Sequence, residues 1–76
     1  MVYMKNIKRS GHLVSFDGYI NGCEDRHFTM TVDLNDISKS QASIEKGYHT
    51  GVAAIKICRT LAAKGYLPEE LVFMSH

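Results

Sequence analysis

The chain has no closely spaced pair of metal ligands, no long apolar run and no stretch of linker composition, and each absence removes a class of function. Its two cysteines, Cys23 and Cys58, stand far apart. They form neither a disulfide framework nor the paired Cys-x-x-Cys ligands of a structural zinc site, and free thiols suit a reducing compartment. No segment approaches the ~18 apolar residues of a membrane span. The first residues, Met1-Val2-Tyr3-Met4-Lys5, lack the long apolar run of a signal peptide. A cytoplasmic protein without membrane association is therefore the expectation. The glycines at Gly47 and Gly51 are not followed by Lys-Ser or Lys-Thr, which excludes a Walker A phosphate loop.

Acids are missing from one region. Between Lys46 and Lys64 stand Lys46, His49, Lys56, Arg59 and Lys64, with no Asp or Glu. The chain as a whole carries +1, so the other 57 residues carry a net −3. Those acids concentrate between Gly11 and Asp36, where Asp17, Glu24, Asp25, Asp33 and Asp36 face only Arg26. An acidic hairpin and a basic helix make a dipolar molecule, able to steer a partner or to associate head to tail.

What is present describes one small folded domain spanning residues 1–76. Hydrophobic residues make up 45% and charged residues 22%, too apolar for a disordered chain. At this length there is room for a single core, and stability is expected to be marginal.

The first half reads as strands. Over residues 12–20, Val14, Phe16 and Ile20 share a face. Over residues 27–34 the alternation is clean, with Phe28, Met30, Val32 and Leu34 on one side and His27, Thr29, Thr31 and Asp33 on the other. Asn21-Gly22 followed by acids is a turn signal, so residues 12–34 are expected to form an antiparallel hairpin. Residues 2–8 add an edge strand.

The second half changes period. Ser38 and Gln41 fit a capping box that would start a helix near Lys39. Ile44, Tyr48, Ile55, Cys58 and Ala62 fall along one side, widened by Ala54 and Leu61. Either one helix runs from 39 to 64, or a short helix ends near Gly47 and a second begins after Thr50 as its N-cap; the second arrangement is preferred. Gly65 closes the helix, Pro68 prevents its continuation, and Leu71-Val72-Phe73-Met74 reads as a last strand. The expected class is α+β. A small antiparallel sheet in β-β-α-β order, with an extra N-terminal edge strand or short helix, carries one main helix on one face. Phe28, Val32, Ile55 and Leu61 are the expected core.

Several residues invite a functional reading. Lys46, His49, Lys56, Arg59 and Lys64 project onto the solvent side of the predicted helix, where they could contact phosphates. A helix starting at Thr50 would make Lys46-Gly47-Tyr48-His49-Thr50-Gly51 an anion-binding loop. Glycines at such a junction are more often a bend. Cys23 and His27 form a loose Cys-x-x-x-His across the turn, too sparse to specify a metal, and Cys58 reads as a small core hydrophobe. Asp33 and Asp36 lack the spacing of a calcium loop and fit turn chemistry. Tyr19, opposite in facing to Phe16, is a candidate interface residue.

The basic helix after a hairpin resembles, in outline only, the double-stranded RNA-binding domain. The N-terminal helix and the lysine cluster of that family are missing, so no residue role is carried over. The expectation is a non-enzymatic accessory protein of adaptor or inhibitor type, without cofactor, that acts by binding another protein. Homodimerisation through an open sheet edge is a variant of it. The alternative is a nucleic-acid-binding module using the basic helix face. That alternative gains if Lys5, Lys8 and Arg9 lie beside the helix and fades if they lie opposite.

Overall fold

Alternating apolar and polar residues drive the first half of the chain into strands that can bury one face only. The computed structural model describes residues 1–74. Strands β1 (Val2–Ser10), β2 (Leu13–Ile20) and β3 (His27–Asp33) form an antiparallel meander. The two-residue strand β4 (Gln41–Ala42) flanks β3, helix α1 (Tyr48–Lys64) follows, and β5 (Leu71–Phe73) returns to pair with β1. The sheet order is β4-β3-β2-β1-β5, antiparallel throughout. This is the expected α+β class, a small antiparallel sheet with one main helix.

The hairpin over residues 12–34 forms as its turn residues dictate. Asn21 and Gly22 both have positive φ, and Cys23 N–H donates to the Ile20 carbonyl across them at 3.1 Å. A 3₁₀ turn over Glu24–Arg26 follows before the strands pair at Tyr19–His27, so the connection is longer than the Asn-Gly turn alone. Phe28 then lies across from Gly18, its ring packed onto the glycine backbone and edge-on to Phe16, with ring centroids 6.2 Å apart. A Cβ at position 18 would collide with that ring, so glycine makes room for the largest buried side chain.

The core lies between the sheet and α1. Val2, Met4, Val14, Phe16, Ile20, Phe28, Met30 and Val32 supply the sheet side, and Ala53, Ala54 and Ile57 the helix side. Phe28 and Val32 are core residues, as the alternation predicts. Ile55 is not: it is 43% exposed, and Leu61 is only partly buried. The sequence stripe through Ile44, Tyr48 and Ile55 took the wrong phase, and the sheet instead meets the face centred on Ala53, Ala54 and Ile57. Alanines let the helix approach closely, so Thr50, Ala53, Ala54, Ile57 and Thr60 form the buried face.

Three further expectations are corrected. Residues 2–8 do form a strand, within β1, but not at the sheet edge, because β5 pairs with its Val2–Met4 end. No helix starts at Lys39. The serines there serve strand β3 instead: Ser40 Oγ accepts from Asp33 N–H and Ser43 Oγ from Thr29 N–H, each at 2.9 Å. Asp36 caps a short 3₁₀ turn over Ile37–Lys39. Finally, neither glycine divides the helix. Gly47 is the N-cap, Gly51 sits inside the first turns, and Thr50 lies three residues in rather than at the cap. Gly65 does close the helix, with φ 79° and its N–H on the Leu61 carbonyl.

Candidate functional site

A helix laid on one face of a sheet has an inner side and an outer side, and in α1 the outer side carries large side chains as well. Tyr48 and Ile55 are two turns apart and so point the same way, with Arg59 one turn further along that line. Tyr48 is 61% exposed. A solvent-facing helix stripe is normally polar, so two large apolar residues there need another explanation.

Beside this stripe runs a cleft between α1 and the sheet edge. It is lined by Ile55, Lys56 and Arg59 from the helix and by Val72, Phe73 and Met74 from β5 and the residue after it, and encloses about 270 Å³. Phe73 packs partly against the core, while Met74 is 61% exposed. Among the described residues, neither Lys56 nor Arg59 pairs with a carboxylate; the ion pairs found there are His12–Asp33 and His27–Asp17. The cleft thus combines apolar walls with two cationic side chains.

The five residues expected to share a basic helix face separate. Lys56 and Arg59 stay together in the cleft. Lys46 precedes the helix and donates from Nζ to the carbonyls of Ser38 (3.2 Å) and Ser40 (2.9 Å), tying the β4 segment to the helix start. His49 is half-buried beside the Tyr48 ring, and its Nδ1 is enclosed without a partner. Lys64 occupies the last turn, where a cation complements the helix dipole. The anion loop does not assemble, because Lys46 is engaged and Thr50 is closed on Gly47, accepting its N–H at 2.8 Å and donating to its carbonyl at 3.1 Å.

Lys5 and Lys8 lie on the opposite side of the sheet from α1. Their cross-strand partners are Asp17 and Ser15, which alternate with the buried Val14 and Phe16. Lys5 Nζ sits 5.0 Å from the Tyr3 ring centroid and 5.8 Å from that of Tyr19, so Tyr19 is covered rather than free. Arg9 turns back, donating from Nε to the Gly11 carbonyl at 2.8 Å. On the same open face Asp17 accepts from Asn6 Nδ2 at 2.8 Å and lies 3.2 Å from His27 Nε2. The Asn6 hydrogen bond and then His27 hold the Asp17 carboxyl below its ordinary value.

Cys23 is exposed, with its Sγ 3.9 Å from the Asn21 carbonyl, and His27 turns to Asp17 rather than to Cys23. Among the described residues no three His, Cys, Asp or Glu gather to hold a metal, and no helix is long and apolar enough to cross a membrane. Burial raises the Cys58 thiol, away from the reactive thiolate. Asp33 and Asp36 accept backbone N–H groups of their own loop.

Sequence reasoning missed Ile55, Phe73 and Met74 as site residues. A signal existed. Along α1 one line reads Thr50, Ala53, Ala54, Ile57, Thr60 and another reads Tyr48, Ile55, Arg59. Two stripes of different bulk cannot both face a single sheet.

No protein-family model matches the chain, and neither the curated proteins nor the solved structures compared with it give a match.

Proposed function

We propose that this chain is a non-enzymatic accessory protein, of adaptor or inhibitor type, that acts by binding another protein through the outer face of α1 and the adjoining cleft. One observation carries the reading: beyond the face it buries against the sheet, which includes Ile57, the helix leaves two more large side chains, Tyr48 and Ile55, in solvent. Exposing them costs free energy that contact with a partner would recover. Aromatic residues and arginine are also the types most enriched where proteins meet. Free Cys23 and Cys58 suit a reducing compartment such as the cytoplasm. Nucleic-acid binding is less well supported, because Lys5 and Lys8 lie across the sheet from Lys56 and Arg59 and the basic groups do not add into one patch.

The test is a photo-crosslinking amino acid placed at Ile55 and, separately, at Thr31 on the opposite sheet face. In cells of the source organism, a discrete protein adduct is expected from position 55 and not from position 31. No adduct at 55, or identical adducts at both, would overturn the reading. Nucleic-acid association is measured alongside by titrating duplex and single-stranded DNA and RNA at low and near-physiological salt, where salt-sensitive binding abolished by Lys56→Glu with Arg59→Glu would replace it.

A further inference from the structure

The cleft beside α1 also constrains what the partner brings. At about 270 Å³ it falls below the ~300–1,000 Å³ usual for small-molecule sites, and it holds one bulky side chain comfortably. Its apolar walls are Ile55 and Phe73 with Met74 at the rim, and its charged members are Lys56 and Arg59, with no acid on the chain from 46 to 64. Resting on the protein-binding reading above, we infer that the occupant is an acidic segment of a partner protein. It seats one bulky apolar side chain between Ile55 and Phe73 and sets carboxylates against Lys56 and Arg59.

Other occupants fit less well. A second copy docking through the same helix would bring Lys56 and Arg59 against an equally acid-free helix, since a two-fold interface pairs the surface with itself. Like charges so placed oppose association. Continuation of the sheet is also poorly served. The edge strands are only three residues (Leu71–Phe73) and two residues (Gln41–Ala42) long, and short edges are a device that discourages strand addition. A phosphate backbone would use the two cations and leave the Ile55–Phe73–Met74 wall without a purpose. Side-chain insertion uses both halves of the cleft.

The probe is a twelve-residue synthetic peptide with capped ends, one central leucine and flanking glutamates. Three controls accompany it: the same peptide with alanine for leucine, the same with lysines for glutamates, and phosphatidylserine vesicles. Binding is followed by fluorescence anisotropy at low salt, with circular dichroism on every variant to confirm folding. The glutamate–leucine peptide should bind, and both peptide controls should bind at least about tenfold more weakly, as expected when two rim charges and one anchor are lost. Lys56→Glu with Arg59→Glu should invert the preference toward the lysine peptide. Ile55→Ser should weaken every peptide, and should do so while the fold stays intact. Equal binding of the glutamate and lysine peptides, binding unchanged in the charge-reversed variant, or a preference for the vesicles over all peptides would overturn the inference. Its failure is separable from that of the protein-binding reading. A crosslinked partner contacting position 55 through a basic or neutral segment sinks only the acidic occupant, whereas no protein adduct at 55 sinks both.

Discussion

The two sides of α1 are built on opposite rules. Toward the sheet stand Thr50, Ala53, Ala54, Ile57 and Thr60, all buried; away from it stand Tyr48, Ile55 and Arg59. Burial contributes about 25 cal/mol per Å², yet of the large side chains among these only Ile57 is fully inside, while Tyr48 and Ile55 stay out. The inner residues, small ones around Ile57, hold the helix to the sheet, and Tyr48 and Ile55 lie outside that buried face. The difference separates residues that hold the fold from residues free to act, and that separation can be broken by mutation.

The largest expected effect lies on the inner side. Phe28 is 1% exposed and seats on Gly18, so Phe28→Ala should cost about 3–5 kcal/mol, enough to unfold much of a domain this small. Ile57→Ala should cost about 2–5 kcal/mol by the same mechanism. Two positions away, Ile55→Ala removes a side chain that is 43% exposed and should cost about 1 kcal/mol or less, close to the range of surface substitutions. Urea denaturation of the three variants measures the contrast. Equal losses at 55 and 57 would erase the distinction between the two sides, and with it the case for an outer binding face.

The same contrast explains what was legible in the sequence. The strands were, because period-two alternation at Val14, Phe16, Ile20 and at Phe28, Met30, Val32 has one interpretation: a sheet with one wet face. The Asn21-Gly22 turn was legible for a similar reason, since few residue pairs tolerate two positive φ angles. The helix end at Gly65 followed from its left-handed conformation. The phase of α1 was not legible, because hydrophobicity cannot separate Ile55 from Ile57, and only the position of the sheet decides that Ile57 is buried with Ala53 and Ala54 while Ile55 is exposed. The Ser38–Ser43 stretch was misread because serine hydroxyls cap helices and satisfy strand edges equally well, and only the position of β3 decides between them. Of the candidate site, Lys56 and Arg59 could be found from charge. Phe73 and Met74 could not, since β5 reaches the helix only through its return to β1.

A smaller effect sharpens the role of that serine stretch, which belongs to neither side of the helix but holds its entry. Ser40 is 2% exposed, its Oγ accepts from Asp33 N–H, and its carbonyl takes the Lys46 ammonium. Ser40→Ala leaves a part-buried N–H without a partner and should cost about 1–3 kcal/mol. Exchange of the Asp33 amide hydrogen should quicken more than exchange along β2. A uniform acceleration across the sheet would instead mean that β4 and its loop do not open as a local unit.

The smallest effect concerns the open sheet face, where Asp17 links Asn6 and His27. Its carboxyl titrates below the ordinary value, held down first by the Asn6 hydrogen bond and then by His27. A group whose pKa is lower in the folded state contributes stability above its unfolded value and loses that contribution as pH falls through the folded one. The increment should therefore be whole at neutral pH and fade below about pH 4. It should be small, since the site is partly exposed and water screens it. Asn6 has φ 55° within the irregular stretch of β1, so alanine there would add backbone strain of its own. Asn6→Gly removes the side-chain donor while keeping that conformation accessible. Urea midpoints for the wild type, Asn6→Gly and Asp17→Asn at pH 7, 5 and 3 separate the two contributions. Asp17→Asn should flatten the acid limb, and Asn6→Gly should flatten it in part. An acid limb unchanged in Asp17→Asn would assign the pH dependence to other carboxylates. The Asp17 contacts on the open face would then add nothing measurable to acid stability.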